Sequence, residues 1–428
     1  MLLTLKHNLK NMNNKQQEIL QELMWHTAKV YNTLLYEIEN KERILNLNKS
    51  LNILLSSIYK EYRVSNWHSE YLHSHMLQET IINAISNYKS YVKLNEKYTK
   101  DKTSLKGKPN KPRYKNEKST KEIVFTKYAI RQKGNLLMLS LSKKIQEKYE
   151  VKSLNFLIPR KLKKLADFSR IKMIKVIYKK ERYEMNIIYE KEVAEKQKEK
   201  IKQMTNICAI DLGLNNIVAI TNKENNKTLL ISGKEAKSKN RYIQEKISKL
   251  QQINMHMIKE SKKRKNTKQI NRLYEYRRNY INTYMHKVSK MVIEYAKENK
   301  CKEIVIGEMK GIKEKMNYNK NFVQIPLHSL VEKIKYKAEL EGIKIKEISE
   351  RYTSGVSAID KEEIIKENYN KKRRITRGLF ITNEGKKINA DINGSLNILR
   401  KYINKSIPNQ EIAMDNGREQ RPIKKRVA

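Results

Sequence analysis

The sequence is poor in cysteine, in long apolar runs and in acidic residues, and each scarcity excludes something. Its 428 residues include two cysteines, Cys208 and Cys301. A disulfide-stapled secreted fold is excluded, and two cysteines cannot make a four-cysteine zinc site. Both lie in or beside apolar strand-like runs, so buried thiols are expected rather than a disulfide. No apolar stretch approaches the length of a membrane span, and no membrane partner is expected. The opening "MLLTLKHNLKNMNNKQQ" lacks the shape of a signal peptide: its apolar part is short and no small-residue cleavage site follows. The expected location is the cytoplasm.

The scarcity of acids is the most informative. Asp and Glu number 46 against 92 Lys and Arg, a formal net charge of +46. Such a charge repels itself in a compact state unless a polyanion screens it. Many Lys and Arg can each neutralise a phosphate, so nucleic acid is the expected partner. A lysine-rich composition with merely solvated surfaces would carry matching acids. The length suffices for two or three domains with a sizeable core.

The first half mixes strands and helices. "LLTLKHNL" reads as a short strand. Ile19, Leu20, Leu23, Ala28, Tyr31, Leu34 and Leu35 recur at helical spacing from about Gln16 to Glu42. Further helices are expected at about Leu51 to Tyr62 and His73 to Tyr98. "SLKGKPNKPRYKNEK" then breaks the pattern as a basic loop, where Lys108, Lys111 and Arg113 are candidate nucleic-acid contacts. "EIVFT", "LLMLSL" and "SLNFLI" read as strands, and "MIKVIYKKERYEMNIIYE" as a hairpin. The first half is thus a small β unit with helices inserted near its start. Lys191 to Asn206 is a charged linker.

The second half opens on "NICAIDLGLNNIVAI", an apolar run with Asp211 in its middle. "NKTLLISGKEA" adds a strand. Two long helices follow, about Lys237 to Glu260 and Lys268 to Glu298, divided by "SKKRKNTK". "CKEIVIGEM" is a buried strand ending in Glu308. "SLVEKIKYKAELEGIKIKEI" reads as helix, break at Gly342, strand. "KENYNKKRRITRGLF" is a basic loop offering Lys372, Arg373, Arg374 and Arg377 to nucleic acid. "ADINGSLNILRKYI" is an amphipathic helix with Asp391 at its start, and the tail beyond it is polar and expected to be loose.

Three acids share one setting: Asp211 within a strand, Glu308 ending another, Asp391 opening the last helix. Taken singly, each has an ordinary explanation as a turn, a helix cap or a partner for a lysine. Taken together, they suit divalent cations, since Mg²⁺ takes carboxylate and phosphate oxygens. Two such ions can activate water and stabilise the leaving oxygen in phosphodiester cleavage. Metal ions would then neutralise Asp211. Tyr352, Thr353 and Ser354 lack a motif-placed His or nucleophile elbow, so packing or DNA contact suits them better than covalent catalysis. His26, His68, His73, His75 and His286 have no metal-ligand spacing. Asn393 and Ser395 orient the site or cap the helix.

The words around the acids carry a resemblance. "AIDLGLNNIVAIT" resembles the first RuvC motif of the TnpB family, the OrfB-type proteins of small insertion sequences. "IVIGEMKGIK" resembles the second and "NADINGSLNILRKY" the third. "YMHKVSKMVIEYAKENK" is similar to the helix before the second acid. "YKAELEGIKIKEISERYTS" is similar to the segment leading to that family's Tyr-Thr-Ser. Upstream, "GKPNKPRY" and its strands look like the family's N-terminal module. The resemblance is strongest from Ile207 to Tyr402.

It implies an α+β and α/β architecture. Residues 1–195 would form a small β-barrel-like wedge module with an inserted helical recognition bundle, and 196–205 a linker. Residues 206–404 would form an RNase H-like RuvC nuclease domain with a helical insertion at about 237–299, and 405–428 a polar tail. It implies RNA-guided DNA cleavage at a RuvC site, with Asp211, Glu308 and Asp391 as catalytic metal ligands. Two Mg²⁺ or Mn²⁺ ions, a guide RNA from the transposon end and double-stranded target DNA come with it. The implied recognition of guide–target duplex is by shape and backbone. Many members carry two Cys-x-x-Cys pairs before the third acid; this chain has none there, so no zinc is expected and a packed or hydrogen-bonded loop must replace the ribbon. Alternatives are a transposase acting without RNA and a cleavage-silent RNA-guided repressor, which the three intact acids oppose. Oligomeric state stays open.

Overall fold

The computed structural model describes residues 2–40, 49–105, 107–116, 121–163, 168–179, 182–191, 203–224, 227–257, 266–308, 325–376, 378–406, 412 and 422–427. The chain divides into two compact units, Met1–Glu192 and Val193–Ala428.

In the first unit, strand β1 (Leu2–Leu9) is followed by helices α1 (Asn14–Glu39), α2 (Leu51–Ser65) and α3 (Ser74–Lys100) before β2 (Lys121–Thr126). The helices begin where their sequence says they should. Asn13 and Gln16 form a reciprocal capping box at α1, and the Ser50 hydroxyl accepts from Ile53 N–H at α2. The apolar stripe of α1, including Leu20, Leu23, Val30 and Leu34, is buried with Ile81 and Ile85 of α3 and with Ile123 and Phe125 of β2.

Strands β6 (Ile171–Lys179) and β7 (Arg182–Glu190) form the expected antiparallel pair, in a sheet ordered β1-β7-β6-β2. A second sheet, β3 (Ile130–Lys133), β4 (Leu136–Ser140) and β5 (Ser153–Leu157), pairs only within itself, with α4 (Lys143–Tyr149) between its last two strands. The expected barrel-like module is therefore corrected to two open antiparallel sheets, with no closed barrel among the described residues. The reason is in the pairing: β1 and β2 are opposite edges of one sheet with no ladder joining them, and closure requires one.

The second unit is built on a six-stranded sheet, β12-β11-β8-β9-β10-β15. The run around Asp211 is split into a hairpin, β8 (Asn206–Leu212) and β9 (Asn216–Asn222). β10 (Leu229–Ser232) leads to the long helices α5 (Lys234–Met257) and α6 (Lys268–Glu298). β11 (Cys301–Glu308) then lies parallel to β8, and after α7 (Leu327–Leu340), β12 (Lys344–Ser349) lies parallel to β11. Helix α8 is Ala390–Ser406.

Alternation sorts the strands into two faces. Cys208, Ile210, Ile304 and Ile306 pack with Val288, Val292 and Leu330 of α6 and α7. Ile207, Ala209 and Val305 pack with Ile398, Leu399 and Tyr402 of α8. Cys208 and Cys301 are both buried and free. A hydrogen bond with Cys301, together with burial, pushes the Cys208 thiol up.

The expectation of a loose tail is corrected at its far end. β15 (Ile423–Lys425) pairs parallel with β10, and Val427 is buried in the second unit's main core. The physical reason is the outer edge of β10, whose backbone groups would otherwise be unpaired.

Candidate active site at the carboxyl ends of three parallel strands

Asp211 shares the parity of Ile207 and Ala209, so it faces α8. The helix lies so close that a Cβ on Gly394 would stand 2.5 Å from Asp211 Oδ2. Glycine at that position lets the helix backbone approach the carboxylate.

Asp391 is one turn earlier on α8. Its Oδ2 accepts from Asn216 Nδ2 at 2.8 Å and its Oδ1 from Arg374 Nη2 at 2.7 Å. Its own N–H donates to Asn389 Oδ1 at 3.1 Å, and the helix N-terminus favours the negative charge. Burial pushes the Asp211 carboxyl well above the usual range, and the like charges of Glu350 and Asp391 push it further, against the pull of Arg374 and the Leu212 N–H.

Glu350 is the residue that the sequence reading missed. It follows β12, whose Ser349 is in register with Glu308. A Cβ on Gly307 would collide with its Oε1 and Cδ, so its side chain fills the space above a bare backbone in β11. Glu350 Oε1 is buried with no hydrogen-bond partner among the described residues, and burial raises the carboxyl to about 7. The available signal was that "KEISE", like "IVIGE", is a strand-like run ending in an acid.

Glu308 sits at the carboxyl end of β11, the strand beside β8. Its parity is that of Ile304 and Ile306, which pack on the face away from α8. The structure thus joins Asp211 with Asp391 and Glu350, while Glu308 occupies the neighbouring strand end. Among the described residues no three Asp, Glu, His or Cys side chains converge tightly enough to hold a metal ion as they stand. The donor set still suits a hard divalent cation: the carboxylates of Asp211, Asp391 and Glu350 lie together in a partly buried space, and Glu350 Oε1 has no hydrogen-bond partner among the described residues.

The segment after Glu350 is fixed from α8. Tyr352 turns the chain with a left-handed backbone, φ +68°. Asn393 accepts from Ala358 N–H and donates to the Val356 carbonyl, both bonds under 3 Å at 2.9 and 2.8 Å. Asn397 donates to the carbonyls of Thr353 and Val356, and Arg400 to those of Ser357 and Glu362. Asn393 is therefore a buried strut for this loop, and Ser395 returns its hydroxyl to the Ile392 carbonyl within the helix.

Where a zinc ribbon would lie there is an ion network. Arg373 Nη1 donates to Glu362 Oε1 and Oε2 at 2.6 and 2.8 Å, and Nη2 to Asp360 Oδ2 at 3.0 Å. Its guanidinium lies 4.9 Å from the Phe380 ring centre. Phe380, on β13 (Leu379–Ile381), is buried with Ile388 of β14 (Lys387–Asn389) and with Ala390. Although burial pushes Glu362 up, bonds from Ser357 N–H, Arg373 and Asn383 hold it below its ordinary value.

Arg373, expected to touch nucleic acid, is the centre of this network. Arg374 faces Asp391. Lys108, Lys111, Arg113 and Lys372 are exposed, and Arg377 lies outside the described residues.

Two family models match. OrfB_IS605, "Probable transposase", covers residues 186–313, with Asp211 and Glu308. The "Cas12f1-like, TNB domain" model covers residues 328–398, with Glu350 and Asp391. The sequence is TnpB-like.

A search among curated proteins finds no match. Among solved structures, the "Cas12f1-sgRNA-target DNA complex" is similar at 16% identity and TM-score 0.60, over 90% of this chain and 83% of that one. The "mini-RNA-guided endonuclease CRISPR-Cas_phi3" is similar at 12% identity and TM-score 0.49, over 94% and 92%. The first likeness gives this TnpB-like chain its fold: a mixed α/β architecture of the Cas12f type.

Proposed function

We propose that the chain is an RNA-guided DNA endonuclease of the TnpB type, associated with an insertion-sequence transposon, that hydrolyses target phosphodiester bonds. The observation that carries this reading is Asp211, a half-buried residue whose carboxylate is pressed against the backbone of α8 at Gly394 and faces the like charges of Glu350 and Asp391, with the Arg374 guanidinium to offset them. An arrangement that strains the ionised form is maintained where a cation completes it. Two Mg²⁺ or Mn²⁺ ions would supply the attacking hydroxide and stabilise the leaving oxygen.

The chain's own residues do the rest. Asp211, Asp391 and Glu350 would hold the ions from the α8 side, and Glu308 from the end of β11. Asn216 keeps one oxygen of Asp391 oriented. Arg374 holds the other until substrate arrives, then turns to a phosphate. The partners are a guide RNA and double-stranded target DNA. The basic excess supports them, as does the similarity to the Cas12f1 structure, which is a complex with sgRNA and target DNA.

A second reading, guided binding without cleavage, is favoured by one observation: the Arg374–Asp391 ion pair occupies a ligand oxygen. One experiment separates these readings. The gene is expressed with its native flanking DNA, the co-purified RNA is sequenced, and a matched plasmid library is incubated with Mg²⁺. A single abundant RNA with a constant scaffold and a variable end, with Mg²⁺-dependent cutting at the matched site, supports the endonuclease. Guided binding without cutting supports the silent form. Degraded host RNA bound without preference returns the reading to an unguided transposase.

A further inference from the structure

The chain has two tryptophans, and the fold sets them side by side on the surface of the first unit. Trp25 is on α1 and Trp67 opens the 3-10 turn Trp67–Tyr71. Their ring centres are 6.0 Å apart, and they remain 45% and 55% exposed. Each is large and apolar, and the two are exposed together rather than singly.

The layer beneath them is built. His68 stacks on Trp67 at 3.8 Å, and His26 stacks on Tyr71 at 4.2 Å. His26 is buried, its Nδ1 lies 3.0 Å from His68 Nδ1, and its Nε2 faces Glu22 at 3.6 Å. Both ring nitrogens of His26 are therefore turned to His68 and Glu22, and His68 turns its Nδ1 inward to His26 beneath the tryptophan rings. Lys29 stands 5.5 Å from the Trp25 ring and adds a cation at its edge.

We propose that Trp25 and Trp67 form a stacking platform for unpaired bases of a single-stranded nucleic acid, with Lys29 meeting the adjoining phosphate. Every base has a π-face, so such a platform binds single strands with little regard for sequence. Stacking on a ring face uses neither the base edge nor the 2′-hydroxyl, so DNA and RNA strands should bind alike. Lys29 at the rim, in a chain whose net charge is +46, suits a polyanion as the occupant. The inference rests on the nucleic-acid reading above but not on its chemistry, since no residue of the cleavage site takes part.

The test uses the chain's own composition. Because both tryptophans are in the patch, tryptophan fluorescence of the full chain, freed of nucleic acid, reports the patch alone. Short oligothymidine, short oligouridine and a blunt duplex are titrated in turn. Saturable quenching by both single strands and none by the duplex is expected. Trp25→Ala and Trp67→Ala should each weaken binding of a labelled oligothymidine by roughly tenfold. Trp25→Phe and Trp67→Phe, which keep a ring and guard against a folding defect, should fall between. Equal quenching by the duplex, a strong preference for one sugar, or wild-type affinity in both Ala variants would overturn the proposal. Mg²⁺-dependent cleavage with no quenching would overturn it while leaving the endonuclease reading intact.

Discussion

Arg374 Nη2 lies 2.7 Å from Asp391 Oδ1, so a guanidinium stands where a second cation would bind. Two cations cannot share one carboxylate oxygen without repelling each other. Arg374→Gln should therefore raise the affinity of the nucleic-acid-free chain for Mn²⁺. The gain should be about threefold to tenfold, since the pair is partly exposed and screened. A Mn²⁺ titration read by its paramagnetic signal measures this. Unchanged or weaker binding would show that the guanidinium does not compete for the site.

Asp211 faces the backbone of α8 with no room for a methyl group at Gly394. Asp211→Asn removes a proposed ligand, so cleavage should fall by more than the roughly 10- to 100-fold typical of changes around a metal's outer shell. Gly394→Ala should reduce cleavage in the same direction by displacing the carboxylate. Both should bind guide RNA as the wild type does, and Asp211→Asn should melt higher in chelator because a buried charge is gone. Retained cutting by Asp211→Asn would remove Asp211 from the chemistry.

Glu350 contributes a like charge to Asp211 and a buried oxygen with no partner among the described residues. Glu350→Gln relieves the repulsion and keeps the shape. Without metal its melting temperature should rise by about 2–4 °C, the scale of 1 kcal/mol in a unit of this size. The additional rise that Mg²⁺ gives the wild type should shrink in the variant, because a ligand that stabilises only the folded state acts by its affinity. An undiminished Mg²⁺ increment would reduce Glu350 to a buried acid without a ligand role.

The parts of the fold written in short-range pattern were legible. The stripe of Leu20, Leu23 and Leu34 with the Asn13 cap marks α1, and the apolar runs around Cys208 and Ile304 mark β8 and β11. Asp211 and Asp391 stood out because each interrupts or follows such a run. Glu350 did not, because its position depends on β12 lying parallel to β11 in a register that no local pattern encodes. Arg373 was misjudged for the same reason. A run of basic residues looks solvated until Glu362 and Asp360, more than ten positions upstream, are folded against it. Strand β15 is three residues long and is stabilised by the edge of β10 rather than by its own composition.

The Arg373 network holds its segment by ion pairing, and ion pairing and metal ligation have different sensitivities. Arg373→Ala leaves Glu362 and Asp360 facing each other in a largely buried place, a loss of about 3 kcal/mol by analogy with broken buried pairs. Zinc chelators should leave the melting temperature of the wild type unchanged. Calorimetry of both in parallel is the check. A chelator-induced drop would mean that a metal holds this segment after all.

The first unit carries its own pH sensitivity. Burial, with the neighbouring His68 adding to it, lowers His26 to about 4 from an ordinary 6.5. The folded chain keeps this imidazole neutral over the interval in which the unfolded chain protonates it. Between pH 6.5 and 4 the unfolded state binds more protons, so stability falls as pH falls, by up to about 3 kcal/mol when the interval is crossed. His26→Phe keeps a ring against Tyr71 and removes the titration. The wild type should lose more melting temperature between pH 7 and pH 5 than the variant does, and the difference between the two should stop changing below about pH 4. Parallel curves would assign the acid sensitivity to other groups. Because His26 lies directly beneath Trp25 and Trp67, tryptophan fluorescence should follow the same transition.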